Sequence, residues 1–406
     1  MSKQVMPGDQ PPVGATSPQA RPRVSFIPIG KGKAPIHFAD LEPAVRRETA
    51  AELGLKAFRA DQIARHYFGR FEADPQLMTD LNARDRELAA QLLPQLITPV
   101  VTKTADQDWT QKTLWRLFDG AEVESVLMRY PKRVTLCVSS QVGCGMGCPF
   151  CATGQLGLAR NLSAGEILEQ VRFSARAAAT GALGGQETRL SNIVFMGMGE
   201  PLSNYRALLT SLRTITAPVP QGFGISARNL VVSTVGMVPG IRRLASEGIP
   251  VTLAVSLHAP DDELRDALIP MNRHYKVGQL LDAAHEYFEI TGRRVSIEYA
   301  LIRDMNDHPW RAQLLADELN KRGKTWAHVN PIPLNPTPGS IWTASLPRVM
   351  EEFTSILRQS GISTTLRDTR GSDIDGACGQ LATASKNHKK TGVARVLGQG
   401  SEEPQH

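Results

Sequence analysis

The chain is expected to be an α/β protein: a partial (β/α)6 barrel with a small helical domain ahead of it and a tail at each end. Three observations carry that expectation. Between residues 134 and 330, short β-branched apolar runs alternate with helical patterns, as parallel strands joined by crossover helices do. Ahead of them, residues 38–95 show helical apolar spacing punctuated by caps and by glycine or proline stops. The first 37 residues are rich in Pro, Gly and Gln and have no hydrophobic period. The expected organisation is a disordered basic tail over 1–37 and a helical accessory domain over 38–95. The barrel then spans 96–384, with an N-terminal strand extension and a C-terminal loop around Cys378, and a flexible basic tail covers 385–406.

The helical domain begins where Ala44, Val45, Ala51 and Leu53 lead to a stop at Gly54. A second helix carries Phe58, Ile63, His66, Tyr67 and Phe68 and ends before Gly69. A third runs over 82–93, capped by Asn82 with Asp85 three residues on, and is stopped by Pro94. Residues 95–133 read as short strands around Trp115 and the run 123–127. Barrel strands are expected at 134–139, 192–196, 230–233, 251–256, 295–301 and 326–330. Helices are expected at 163–178, 205–216, 240–247, 277–290, 310–322 and 348–359.

The composition sets looser bounds. A hydrophobic fraction of 41% suits a globular protein with a large core. No apolar run approaches the ~18 residues of a membrane span, and the N-terminus has no signal-like apolar region, so cytoplasm is expected. Five cysteines, four of them clustered, do not resemble a disulfide framework. The net charge of +6 comes from the ends. Residues 1–37 carry +4 and residues 385–406 carry +2, while the 347 residues between are neutral. Basic tails add non-specific attraction to phosphates, yet many soluble termini look the same, so charge alone does not decide for a nucleic acid. Arg59, Arg65, Arg70 and His66 lie among aromatics in the helical domain. Residue type alone reads them as a solvated face.

The chemistry is concentrated in residues 137–151, which hold Cys137, Cys144, Cys148 and Cys151. The last three form C-x3-C-x2-C, followed by a glycine-broken run and not by a fourth cysteine or a histidine. Structural zinc takes four Cys or His ligands. Three thiolates on one loop instead suit an iron–sulfur cube, leaving one iron open to a further ligand.

With Phe150 just before its last cysteine, this motif resembles that of the radical S-adenosylmethionine (SAM) enzymes. The longer text runs from Cys137 through Gly-Met-Gly-Glu-Pro-Leu at 197–202 to Gly-Ala-Cys-Gly-Gln-Leu at 376–381. It is similar to the RlmN-type dual-specificity RNA methyltransferases over residues 38–382. The resemblance implies a [4Fe–4S] cluster on Cys144, Cys148 and Cys151, and SAM on its open iron. It implies methylation of C2 of adenine 2503 in 23S rRNA and of an adenine beside the tRNA anticodon. It also implies an external one-electron reductant such as flavodoxin, an accessory domain that helps grip RNA, and no membrane or DNA partner. Methylation of C8 of the same rRNA adenine is an alternative that these motifs do not separate. A non-catalytic RNA-binding protein with structural metal is a more distant one.

Other motifs fall at or just after the C-terminal ends of the expected strands, where barrel enzymes keep their sites. Gly199 and Glu200 follow strand two, Ser233 ends strand three, Ser256, Leu257 and His258 end strand four, and Asn335 follows strand six. Each alone reads as turn or cap chemistry, and His258 also as a satisfied core histidine. By position they match the residues that hold SAM in the resembling family. Two further cysteines would be unneeded in a plain radical SAM enzyme. The resemblance makes Cys378 a methyl carrier that forms a transient protein–RNA adduct. It makes Cys137 the thiol that resolves the adduct through a disulfide, and Glu124 the proton acceptor.

Overall fold

The computed structural model describes residues 32–335, 337, 340–367, 372–377 and 379–381. Cys378 and most of both expected tails lie outside the described residues. Of the first 37 residues, 32–37 are described, and His37 at their end is buried.

Three helices open the chain: α1 (Pro43–Glu52), α2 (Ala57–Ala64) and α3 (Ala83–Leu92). Asn82 caps α3 by accepting from the Asp85 amide at 2.8 Å, as its spacing predicts. Three antiparallel strands follow: β1 (Ile97–Ala105), β2 (Thr110–Leu117) and β3 (Glu122–Tyr130). They are longer than the short strands expected. β1 is a sheet edge exposed along nearly its whole length, so it carries little of the apolar alternation that marks a half-buried strand.

The barrel strands are β4 (Arg133–Cys137), β7 (Asn192–Phe195), β8 (Leu230–Thr234), β9 (Thr252–Ser256), β10 (Val295–Leu301) and β11 (Ala327–Pro333). They pair in parallel in that order. Between β4 and β7 lie the hairpin β5 (Gln141–Gly143) and β6 (Leu158–Asn161), enclosing the short helix α4 (Ala152–Leu156). The helices α5 (Ala164–Ala179), α6 (Tyr205–Thr216), α7 (Val238–Ala245), α8 (Asp262–Leu268), α9 (Val277–Thr291), α10 (Pro309–Asn320) and α11 (Pro347–Gln359) complete the pattern. Among the described residues this gives one nine-stranded sheet, β1-β2-β3-β4-β7-β8-β9-β10-β11, whose last six strands form the partial (β/α)6 barrel. The buried positions of these strands are mostly apolar, as in other parallel sheets, although each strand also carries at least one polar residue.

The boundaries differ from expectation by a few residues. The first barrel strand stops at Cys137, because Ser139 and Ser140 turn the chain toward the hairpin. Helix α7 starts at Val238, with Pro239 in its first turn, where a missing amide costs nothing. The hairpin and the seven-residue α8 were not anticipated; both are too short to show a period.

The helical region packs onto α5. The Tyr67 hydroxyl donates to Glu169 at 2.6 Å, Arg172 donates to the same carboxylate at 2.6 and 2.8 Å, and Asp40 accepts from the Gly165 amide at 2.6 Å. One apolar core continues from Phe38 and Phe68 through the sheet to Leu381. No helix among the described residues is long and apolar enough to cross a membrane.

Candidate active site

The C-terminal ends of the barrel strands surround a cavity with about 1050 Å³ of empty space, counting its open mouth. Cys144, Cys148 and Cys151 form one wall, on the loop between β5 and α4. Gly199, Glu200, Ser233, Ser256, His258 and Asn335 line the rest. All the residues assigned to SAM by sequence except Leu257 therefore meet the three cysteines at one cavity. Leu257 is fully buried, and its amide donates to the Glu298 carbonyl at 3.1 Å.

The cysteine loop is held by backbone contacts. The Cys144 amide donates to the Gly157 carbonyl at 2.8 Å, and the Cys151 amide to the Cys148 carbonyl at 3.2 Å. Helix α4 comes so close that a Cβ on Gly154 would lie 2.8 Å from the Cys148 carbonyl oxygen, so only glycine fits there. Gly199 has φ of +103°, and a Cβ on it would lie 2.5 Å from the Gln141 side chain. That position brings the following Glu200 amide onto Gln141 Oε1 at 2.8 Å.

Burial sets the electrostatics. The Glu200 carboxyl is pushed up to about 7 by burial, although the amides of Val235 and Leu202 donate to it at 2.9 and 3.0 Å. A carboxyl so poised gains most from a cationic ligand, such as an amino group. His258 is pushed down to about 3 by burial and by the charge of Arg265, so its ring is neutral. Its Nδ1 accepts from the Ala300 amide at 2.9 Å, which leaves the proton on Nε2. The Phe150 ring meets His258 edge-on, with ring centroids 5.1 Å apart. His258 is thus both a satisfied histidine and a wall of the cavity.

Burial pushes the thiols up, Cys144 to about 12 and Cys148 further. Iron cations reverse that preference, since a coordinating thiol is deprotonated. No three His, Cys, Asp or Glu side chains among the described residues are gathered closely enough to hold one metal ion. A cube spreads its thiolates over several irons. Thiols along one wall, facing a carboxyl, two serine hydroxyls and an asparagine, therefore fit a cluster beside a small zwitterionic nucleoside.

The sequence reading missed a residue of the cavity wall and another that braces the strand ends around it. Glu298, on β10, is buried on its wall and accepts from Ser296 at 2.7 Å, Asn330 at 3.0 Å and Arg367 at 3.2 Å. Arg265, on α8, is wholly buried and donates to the carbonyls of Leu257, Val235 and Ser256 at 2.9, 2.7 and 3.2 Å, fixing the ends of β8 and β9. Neither lies in a motif that announces it.

Glu124 and Cys137 lie apart from this lining, on β3 and β4. Val126 faces Cys137 in the ladder, so Glu124, two residues along β3, shares a sheet face with the thiol. Both are buried. Ser139 joins this region to the cavity, donating to the Glu124 carbonyl at 2.5 Å and accepting from the Met198 amide at 2.8 Å.

Comparison with known proteins agrees with this geometry. The family model described as the radical SAM superfamily matches residues 138–314. A Bifidobacterium longum protein named probable dual-specificity RNA methyltransferase RlmN is 60% identical over 92% of this chain and 96% of its own. A Thermobifida fusca protein of the same name is 62% identical over 89% of this chain and 98% of its own. The crystal structure of a radical SAM methyltransferase from Sphaerobacter thermophilus superposes with a TM-score of 0.81 at 45% identity, covering 86% of this chain and 99% of that one. A non-catalytic metal-bearing RNA binder is thereby set aside: the chain belongs to the RlmN family of radical SAM RNA methyltransferases.

Proposed function

We propose that the enzyme methylates C2 of adenine 2503 in 23S rRNA and C2 of an adenine beside the tRNA anticodon, with Cys378 as the methyl carrier. The observation that carries this reading is how the backbone on either side of Cys378 is pinned. Before it, the Asp375 carbonyl accepts from Lys112 Nζ at 3.1 Å, and Lys112 is 2.9 Å from Glu124. After it, the Gly379 carbonyl accepts from the Ala152 amide at 2.9 Å, and the Leu381 carbonyl from the Thr153 hydroxyl at 2.5 Å. One anchor is thus beside Glu124 and Cys137, and the other directly follows Cys151. A carrier thiol that must meet a cofactor on one side and a resolving thiol on the other needs such a tether.

Cys144, Cys148 and Cys151 would hold the cluster, while Glu200, Ser233, Ser256, His258 and Asn335 would hold SAM. When bound, these cofactors supply the methyl group and, after one-electron reduction by a protein such as flavodoxin, the radical that removes hydrogen from it. The protein's own residues do the rest. Cys378 carries the group on sulfur and presents its carbon to C2. Glu124 accepts the C2 proton. The Cys137 thiolate attacks the Cys378 sulfur, and the S–S bond forms as the sulfur–methylene bond breaks. The released electron pair stays on the methylene carbon, which takes up a proton to become the methyl group of the freed RNA. The barrel excludes water from these steps.

Incubation with SAM, a reductant and protein-free 23S rRNA, followed by nucleoside analysis, tests this. C2-methyladenosine at the target position is expected. C8-methyladenosine would overturn the regiochemistry, and no methyladenosine from a SAM-cleaving enzyme would overturn the substrate.

A further inference from the structure

Lys112 stands out among the buried groups, because its ammonium serves two regions far apart in sequence. It sits on β2 opposite Val126, which in turn sits opposite Cys137. Lys112, Cys137 and, two residues along β3, Glu124 therefore share one face of the sheet. Lys112 Nζ donates to Glu124 Oε1 at 2.9 Å and to the Asp375 carbonyl oxygen at 3.1 Å. The side chains of Lys112 and Glu124 are only 8% and 7% exposed.

A lysine on a sheet normally keeps its ammonium in water and buries only its stem. The nearby Arg116–Glu122 pair, with its arginine 56% exposed, follows that habit, and exposed pairs of this kind contribute little. Burying both charges of the Lys112–Glu124 pair costs desolvation, and an apolar pair of the same volume is often at least as stable. Stability alone therefore does not account for it. The second hydrogen bond pairs another N–H of the buried ammonium, but it does so by taking up a carbonyl on an exposed residue that water could otherwise satisfy. What the arrangement does provide is registry. One ammonium fixes the Glu124 carboxylate, and it also fixes the backbone three residues before Cys378.

We infer that Lys112 is the positioning residue of the methyl-transfer centre, aligning the proton acceptor Glu124 with the segment that delivers Cys378. The inference rests on the roles proposed above for Glu124 and Cys378. In the step concerned, the protein–RNA adduct left by radical addition returns one electron to the one-electron redox partner. It passes its C2 proton to a Glu124 oxygen, and the C–H electron pair stays with the adenine ring. Lys112 gives up no proton. Its charge compensates the carboxylate while water is excluded, and its contact with Asp375 sets where the adduct lies.

The test compares holoenzymes carrying Lys112→Met, Lys112→Gln, Lys112→Arg and Glu124→Gln with the unaltered enzyme. Four quantities are followed: cluster absorbance, 5′-deoxyadenosine release, covalent protein–RNA adduct and free methyladenosine. Lys112→Met should keep the absorbance and the 5′-deoxyadenosine, accumulate adduct, and release product roughly 10- to 100-fold more slowly, a sizeable part of what a positioned base contributes. Lys112→Arg should restore much of the release, which a purely space-filling role would not predict. Glu124→Gln should stall at the same stage. If Glu124→Gln stalls while Lys112→Met and Lys112→Gln release product normally, the assignment of Lys112 is wrong and that of Glu124 stands. If Glu124→Gln itself releases product normally, the role of Glu124 is wrong. Loss of cluster absorbance in both Lys112→Met and Lys112→Gln would make Lys112 a folding residue and overturn the inference.

Discussion

The cavity at the barrel mouth and the sheet face that bears Glu124 and Cys137 are built on opposite principles. The cavity draws on the ends of several parallel strands, where backbone amides hold Glu200 and His258 and the nearby Arg265 ties the strand-end carbonyls. The sheet face draws on the interiors of β2 and β3 in the antiparallel extension and on Cys137 at the end of the adjoining β4, and it is held side chain to side chain through Lys112 and Glu124. Strand ends can vary loop by loop while the barrel stays fixed, which suits cofactor binding. Paired strands are rigid and fixed in register, which suits two groups proposed to act on neighbouring atoms of one adduct in turn. The C-terminal segment, pinned by Lys112 on one side and by Ala152 and Thr153 on the other, joins the two.

The largest effects should come from the cavity wall that would hold the cluster. Changing Cys144, Cys148 or Cys151 to Ala should abolish 5′-deoxyadenosine production, as followed by chromatography of the reduced enzyme with SAM. Full SAM cleavage by a Cys148→Ala protein lacking cluster absorbance would break the division between the two regions, because the cavity would then not house the radical chemistry.

A large effect on stability should come from the arginine that ties the strand ends together. Arg265→Met strands the carbonyls of Leu257, Val235 and Ser256. Each buried polar group left unpaired costs about 1–3 kcal/mol, so a loss of roughly 3 kcal/mol or more is expected in denaturant unfolding. SAM affinity should fall with it. An unchanged unfolding midpoint would show that water replaces the guanidinium and that the strand ends need no such tie.

The smallest effect should come from a part that belongs to neither region. Deleting residues 1–31 removes a charge of +3 and leaves the buried His37 in place. The log–log salt slope of RNA binding should flatten by a few units at most, at roughly 0.7–0.9 per lost phosphate contact. Modification at saturating RNA should persist. A truncated enzyme that is inactive even there would give the tail a catalytic role.

Legibility in the sequence follows the same division. The barrel was readable because buried parallel strands are apolar runs of fixed length and their connecting helices are amphipathic. Gly199-Glu200, Ser233 and Ser256 stand at or directly beyond the ends of such runs, but only the family resemblance singled them out from ordinary turn and cap residues. Lys112, Arg265 and Glu298 were not, because their partners lie elsewhere in the chain: Lys112 meets a carbonyl 263 residues away, and no local pattern encodes that. Burial also hides intent. Arg265 looks like any charged position on a short helix until its partners are known. Cys137 and Glu124, thirteen residues apart, are diagonal neighbours only because β3 and β4 form a hairpin with a particular register.

The most direct test of the two-region account is the fate of a Cys137→Ala enzyme given SAM, reductant and RNA. It should still gain a protein-bound methyl group and still attack the RNA, since the cavity and Cys378 are untouched. It should then accumulate as a covalent protein–RNA adduct through Cys378, visible as a shifted band by denaturing gel and assigned by mass spectrometry. A Cys137→Ala enzyme that releases methyladenosine at the rate of the unaltered protein, with no adduct, would contradict the account.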